Sequence, residues 1–257
     1  MSAADTPMSI PPPPEPTTPR LSEVERITNI FVAPSKTFAD IKRNAMWIAP
    51  WLLMLVTSLA FAYTVGQRVG WEQVMQNNLQ MAPAAQQERM EQIPADQKAR
   101  VMAQQVMVTK GISYGFPILG LIWLVIVALV LWATFSFGAG ADVKFGQSLA
   151  IVVYASLPAV IKTLLATLLL WLKVPDDFFI QNSIGTNLGY YLGFHDTPRF
   201  LYSVATALDI FTIWILVLTA IGFTTVGRIK SSTAYTVVFG WWIVVTLCGA
   251  ALGAAFA

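Results

Sequence analysis

Five apolar stretches, each long enough to cross a bilayer, decide what this chain can fold into. They are Trp47–Val65, Phe116–Phe137, Ser148–Leu172, Leu201–Phe223 and Ala234–Phe256. A spanning helix needs about 20 apolar residues to cover a hydrocarbon core of roughly 30 Å. Three of the stretches carry no charge, the third carries only Lys162, and the fourth carries only Asp209. Backbone amides inside lipid have to be satisfied within the chain, so each stretch is predicted to be a helix. The expected fold class is an all-α integral membrane protein: a five-helix transmembrane bundle with an N-terminal interfacial helix and a helical extramembrane loop.

Composition agrees. Charged residues make up 12% of the 257 residues, where a soluble domain has about 25%. A net charge of +2 gives no field that would draw nucleic acid, so no nucleic-acid partner is expected. Cys248 is the only cysteine and His195 the only histidine. That excludes an internal disulfide and argues against a histidine-based metal site. No cofactor or metal is expected, and no cleavable leader precedes the first span.

The chain divides into three regions. Residues 1–20, with the run IPPPPEPTTP, read as a disordered proline-rich tail. Residues 21–46 read as an amphipathic juxtamembrane segment. Ser22 and Glu25 form a capping box, Leu21, Val24, Ile27 and Phe31 recur at helical spacing, and Pro34 ends the first helix. Phe31, Phe38 and Ile41 interleave with Lys36, Lys42 and Arg43, the pattern of a helix lying on an anionic membrane face. A helix packed on the protein itself has the same pattern. Residues 47–257 form the five-span domain. Its first connection, residues 66–115, reads as one or two surface helices broken near Pro83 and Pro94. The third, residues 173–200, is too aromatic for a floppy loop.

Lys162 and Asp209 are the sharpest chemical signal. A charge at mid-membrane costs about 2.5–3.5 kcal/mol on insertion scales. Counted from the ends of their stretches, the two lie about 15 and 12 Å deep, a match that suits a pair. The readings are a structural ion pair between neighbouring helices, separate snorkelling of Lys162, or a proton or ion relay. Pro158 breaks the third span and leaves the Tyr154 carbonyl without its helical donor. Tyr154, Pro158 and Lys162 are therefore expected to share a kinked polar face. Gly111, Ser113 and Gly115 match a hydrolase elbow, with His195 and Asp196 on the same membrane side. That elbow needs a strand before the serine, and none is expected here, so the chain is read as a non-enzyme.

Three segments carry a family resemblance. They are IFVAPSKTFADIKRN before the first span, FGQSLAIVVYASLP at Phe145–Pro158, and LDIFTIWILVLTAIGF followed by a basic turn. Over roughly residues 25–257 the chain resembles the Yip domain family of five-span membrane proteins, specifically their bacterial branch. The resemblance implies a bundle with a cytoplasmic N-terminus and a role in organising membranes, through other membrane proteins or self-association. Eukaryotic members engage small GTPases and vesicle coats. This chain lacks their DLYGP-type element and has a long first connection, so the GTPase partner is not carried across. The expectation is a scaffold in a bacterial inner membrane, N-terminus inside and C-terminus outside, with the clusters Lys42–Arg43 and Arg228–Lys230 supporting that orientation. The alternative is a small transporter or permease component that uses the Lys162–Asp209 pair.

Overall fold

The computed structural model describes residues 20–172 and 174–255. The proline-rich tail, apart from Arg20, lies outside the described residues. Two short helices come first. In α1 (Glu23–Val32), the Ser22 hydroxyl accepts from the Glu25 amide at 3.2 Å, and the Glu25 carboxylate accepts from the Ser22 amide at 2.7 Å. Pro34 then opens α2 (Pro34–Ile41), where its missing N–H costs nothing. The first span is α3 (Ile48–Arg68). It ends at Gly70, whose φ of 84° suits glycine. The first connection holds α4 (Trp71–Gln80) and α5 (Ala84–Glu91).

The breaks at Pro83 and Pro94 fall where the sequence places them, but the helix beginning after Pro94 differs from the expectation. A single 39-residue helix, α6 (Ala95–Ala133), merges the anticipated surface helix with the second span and passes through Pro117 without ending. A π turn at Thr134–Gly138 closes it. The third span is α7 (Phe145–Ala155) followed by α8 (Pro158–Leu169). Pro158 forces that division. The Tyr154 carbonyl it cannot serve accepts instead from the Leu157 amide at 3.1 Å.

The fourth apolar stretch is not one helix. It consists of α9 (Arg199–Ala207) and α10 (Ile210–Gly227), divided at Leu208 and Asp209. The final span is α11 (Ser231–Ala255). Among the described residues five helical segments are long and apolar enough to cross a membrane, so the fold is an all-α membrane bundle. The only β feature among the described residues is one isolated bridge, Asn187 to Asp209.

The core is centred on α7, in which every residue from Ser148 to Ala155 is buried. Helices α6 and α10 flank it, and Phe135 stacks on Phe223 with ring centroids 4.2 Å apart. Gly222 lets α10 approach α7 and α2 closely. A Cβ there would lie 2.4 Å from Ile151 Cγ2 and 3.0 Å from Phe38 Cε1.

The juxtamembrane segment departs from the lipid-facing reading. Helices α1 and α2 form a hairpin docked on α7 and α10, with Ile30, Phe38 and Ile41 fully buried. The alternation of apolar and basic residues marks a face turned into the protein.

Candidate functional site

Two charged constellations lie inside this fold. The first is built around the break in the fourth apolar stretch. Asp209 is the N-cap of α10, and its Oδ1 accepts from the amides of Phe211 at 2.9 Å and Thr212 at 3.3 Å. An aspartate is among the strongest helix starters for this reason, and here it overrides the apolar run around it. Its Oδ2 accepts from Lys162 Nζ at 2.9 Å and from the Thr186 hydroxyl at 2.6 Å. Four donors thus meet two oxygens, filling the lone-pair positions of a carboxylate. The acid is 2% exposed and the lysine 38%, so the amine reaches the edge of the bundle while the carboxylate is enclosed.

The pair sits within the apolar band. Beyond Lys162, α8 runs about 10 Å further, with Leu164, Leu165 and Leu168 exposed. Irregular backbone at such a place is tolerated when protein covers it, and the connection after α8 supplies the cover. The Thr186 carbonyl accepts from the Ile210 amide at 3.1 Å, and Ile184 packs with Ala166 and Phe211. The descending arm of this connection is pinned by Asn77 of α4, whose Nδ2 donates to the carbonyls of Pro175 and Phe178, each at 2.8 Å. Asn187 holds the return, taking the Tyr190 amide at 2.9 Å and donating to Asn182 Oδ1 at 2.8 Å.

The second constellation locks the N-terminal hairpin. Arg26 Nε donates to Asp40 Oδ2 at 2.7 Å, and its Nη2 meets the same oxygen. Arg43 Nη2 donates to Asp40 Oδ1 at 2.9 Å. Arg26 also lies 3.4 Å from Glu23 Oε1, and Glu23 Oε2 accepts from the Tyr154 hydroxyl at 2.7 Å. The chain of charge therefore runs from the hairpin into α7. Burial alone would raise the Asp40 carboxyl. The hydrogen bonds and charges of Arg26 and Arg43 outweigh it and hold the group below the usual carboxylate range.

The structure brings Lys162 and Asp209 together but divides the expected polar face of the third span. Tyr154 serves Glu23 on one side of the Pro158 break, and Lys162 serves Asp209 on the other. Of the residues read as a membrane-interface patch, Phe38 and Ile41 are buried. Phe31 packs edge-on against Trp214 at 5.7 Å. Lys36 and Arg43 stay exposed, and Lys42 is half-buried, its carbonyl accepting from Gln147 Nε2 at 3.0 Å. The correction has a physical cause: the Arg26–Asp40 pair closes the hairpin and turns its apolar side chains inward. Ser113 lies inside α6, its hydroxyl bonded to the Thr109 carbonyl at 2.8 Å, and His195 contacts the Gln80 carbonyl at 2.9 Å. Neither has the geometry of a nucleophile elbow. Among the described residues no three potential metal ligands cluster.

Sequence reasoning misses Glu23, Arg26, Asp40 and Thr186. Arg26 has a readable signal, since it stands four residues before Ile30 and so shares the buried face of α1. Thr186 has none, because its role depends on a connection that folds back into the bundle.

Fold and site together define a multi-pass α-helical integral membrane protein whose internal charges are paired. More particularly, the chain belongs to the Yip1 domain family, whose model matches residues 28–253, nearly its whole length. No curated protein and no solved structure matches it at a significant level.

Proposed function

We propose that the chain is a non-enzymatic membrane scaffold, a rigid bundle that organises other membrane proteins or further copies of itself. The observation that carries this reading is the saturation of Asp209. A relay or coupling acid needs an open lone pair or an exchangeable partner. Here Lys162, Thr186 and two backbone amides occupy both oxygens. Charge inside the bundle is thereby committed to holding helices together. Much of the outer surface of α6 and α11 stays apolar, with Ile118, Ile122, Ile243 and Leu247 each about half exposed, and is free to meet neighbours in the bilayer. The second reading, a small transporter or permease component, draws on the partial exposure of Lys162 at the bundle edge.

The proposed setting is a bacterial inner membrane with the N-terminal hairpin cytoplasmic and the C-terminus outside. The basic residues beside the spans support this orientation. Photo-crosslinking in native membranes from positions on the outer faces of α6 and α11 tests the scaffold. A defined membrane-protein adduct, or a defined homo-oligomer, is expected. A Lys162-dependent proton or solute flux in proteoliposomes, with no defined adduct, would replace it with the transporter.

A further inference from the structure

The spans fix how deep the N-terminal hairpin lies. Helix α3 sets the scale, since its 21 residues measure about 31 Å and match a hydrocarbon core of roughly 30 Å. At its far end the Arg68 guanidinium lies over the Trp171 ring, 4.0 Å from the centroid. A basic and an aromatic side chain together suit the membrane interface. From Trp171 back to Lys162 is about 13 Å along the chain. Lys162 is level with Asp209 through their ion pair, and Trp214 stands about 8 Å further along α10. Trp214 therefore lies about 21 Å from the far edge of the core and about 10 Å inside the near edge.

Phe31, at the closed end of the hairpin, packs on Trp214 with ring centroids 5.7 Å apart. Phe38 sits beside Gly222, about 12 Å nearer the near edge along α10. The Lys42 carbonyl, at the open end, is held by Gln147 in the first turn of α7. The hairpin thus rises from the near edge of the core, and its tip reaches the level of Trp214.

The chemistry of the hairpin follows the same axis. Glu23, Arg26, Asp40 and Arg43 meet one another toward the open end, whereas Ile27–Ser35 carries no charge. Lys36 follows within a turn of the tip, and its long apolar stem can carry the amine back toward the headgroups. Backbone in lipid has to be satisfied within the protein, and the tip meets that demand. The Ala33 amide donates to the Asn29 carbonyl at 2.8 Å, Pro34 has no N–H, and the Lys36 amide donates to the Ala33 carbonyl at 2.9 Å. On the outward face of α1 the Thr28 hydroxyl donates to the Val24 carbonyl at 2.9 Å. Val32, on the same face, is 75% exposed.

We propose that the hairpin is a re-entrant membrane element, whose tip, Phe31–Pro34, enters one leaflet and rests Val32 on its acyl chains. The inward face, with Phe38 and Ile41, packs on the bundle as described. The outward face at the tip meets hydrocarbon. This requires only that the bundle crosses the membrane, and it is independent of the scaffold and transporter readings and of which side is cytoplasmic.

The test places a nitroxide at Val32→Cys in a Cys248→Ala background, with the full-length chain in phospholipid nanodiscs. Ile122→Cys, on the exposed apolar face of α6, is the lipid reference, and Ala95→Cys, at the exposed start of α6, is the water reference. Collision rates with oxygen, which concentrates in hydrocarbon, and with a neutral nickel chelate, which stays in water, would be compared. The oxygen-to-nickel ratio at Val32→Cys is expected to match Ile122→Cys. A ratio matching Ala95→Cys overturns the proposal. A label reached by neither reagent overturns it too, because protein then covers the tip.

A second measurement needs no label. Glutamine is at least as good a helix former as valine, so Val32→Gln costs nothing on a face turned to water. In lipid bicelles Val32→Gln is expected to melt below the wild type, and Val32→Leu to melt with it. Melting of both variants with the wild type contradicts a tip in hydrocarbon.

Discussion

Arg26 and Asp40, on opposite arms of the N-terminal hairpin, form an ion pair sealed from solvent, with side chains 1% and 2% exposed. The Thr37 hydroxyl adds a second tie, donating to the Arg26 carbonyl at 2.9 Å. Removing one member strands the other charge. Arg26→Met and Asp40→Leu are each expected to lose about 3–5 kcal/mol in equilibrium unfolding in mixed micelles. The double variant should lose less than the sum. Strictly additive losses would show that the two do not depend on each other.

The same pair predicts a direction for pH. The Asp40 carboxyl is lowered on folding from 3.8. Its contribution is therefore complete above the unfolded value and is lost as pH falls through the folded one. The stability of wild type relative to Asp40→Asn should stay level from about pH 7 to 5 and shrink below about pH 4. An advantage that shrinks as pH rises would contradict the assignment.

Gly222 is expected to tolerate no side chain. A methyl at this position would meet Ile151 Cγ2 at 2.4 Å, so Gly222→Ala should destabilise the α7–α10 contact by about 1–3 kcal/mol. Ile151→Ala in the same chain should recover part of that loss. No recovery would place the strain elsewhere.

Topology is open to a direct check. Ala95 stands at the exposed start of α6, in the connection proposed to lie outside. An Ala95→Cys variant in a Cys248→Ala background is expected to react with an impermeant maleimide in intact cells. Labelling only after permeabilisation would reverse the orientation.

Much of this architecture is legible in the sequence because lipid imposes a strong rule on it. The capping box at Ser22 and the breaks at Pro34, Pro83, Pro94 and Pro158 are local signals, and each coincides with a helix boundary; four of the five apolar stretches each lie along one candidate span, while the fourth is divided. The failures are non-local. Asp209 reads as the partner of Lys162 inside a continuous span, and its second role as N-cap is what divides α9 from α10. The hairpin face carrying Phe38 and Ile41 fits lipid and protein equally well by spacing. Only Arg26 and Asp40, too far apart in sequence to be paired by inspection, decide between them.

The Lys162–Asp209 pair bears most directly on a bundle whose internal charge is committed to structure. Asp209→Asn keeps an oxygen to cap α10, so the comparison isolates the charge. Unfolding in mixed micelles would be measured for Lys162→Met, Asp209→Asn and the double variant, with reconstituted flux measured alongside. Each single variant is expected to be destabilised, the double variant to lose clearly less than the sum, and no proton or solute flux to depend on either residue. Additive losses, or a double variant that folds normally while abolishing a flux present in the wild type, would contradict a structural role for the pair.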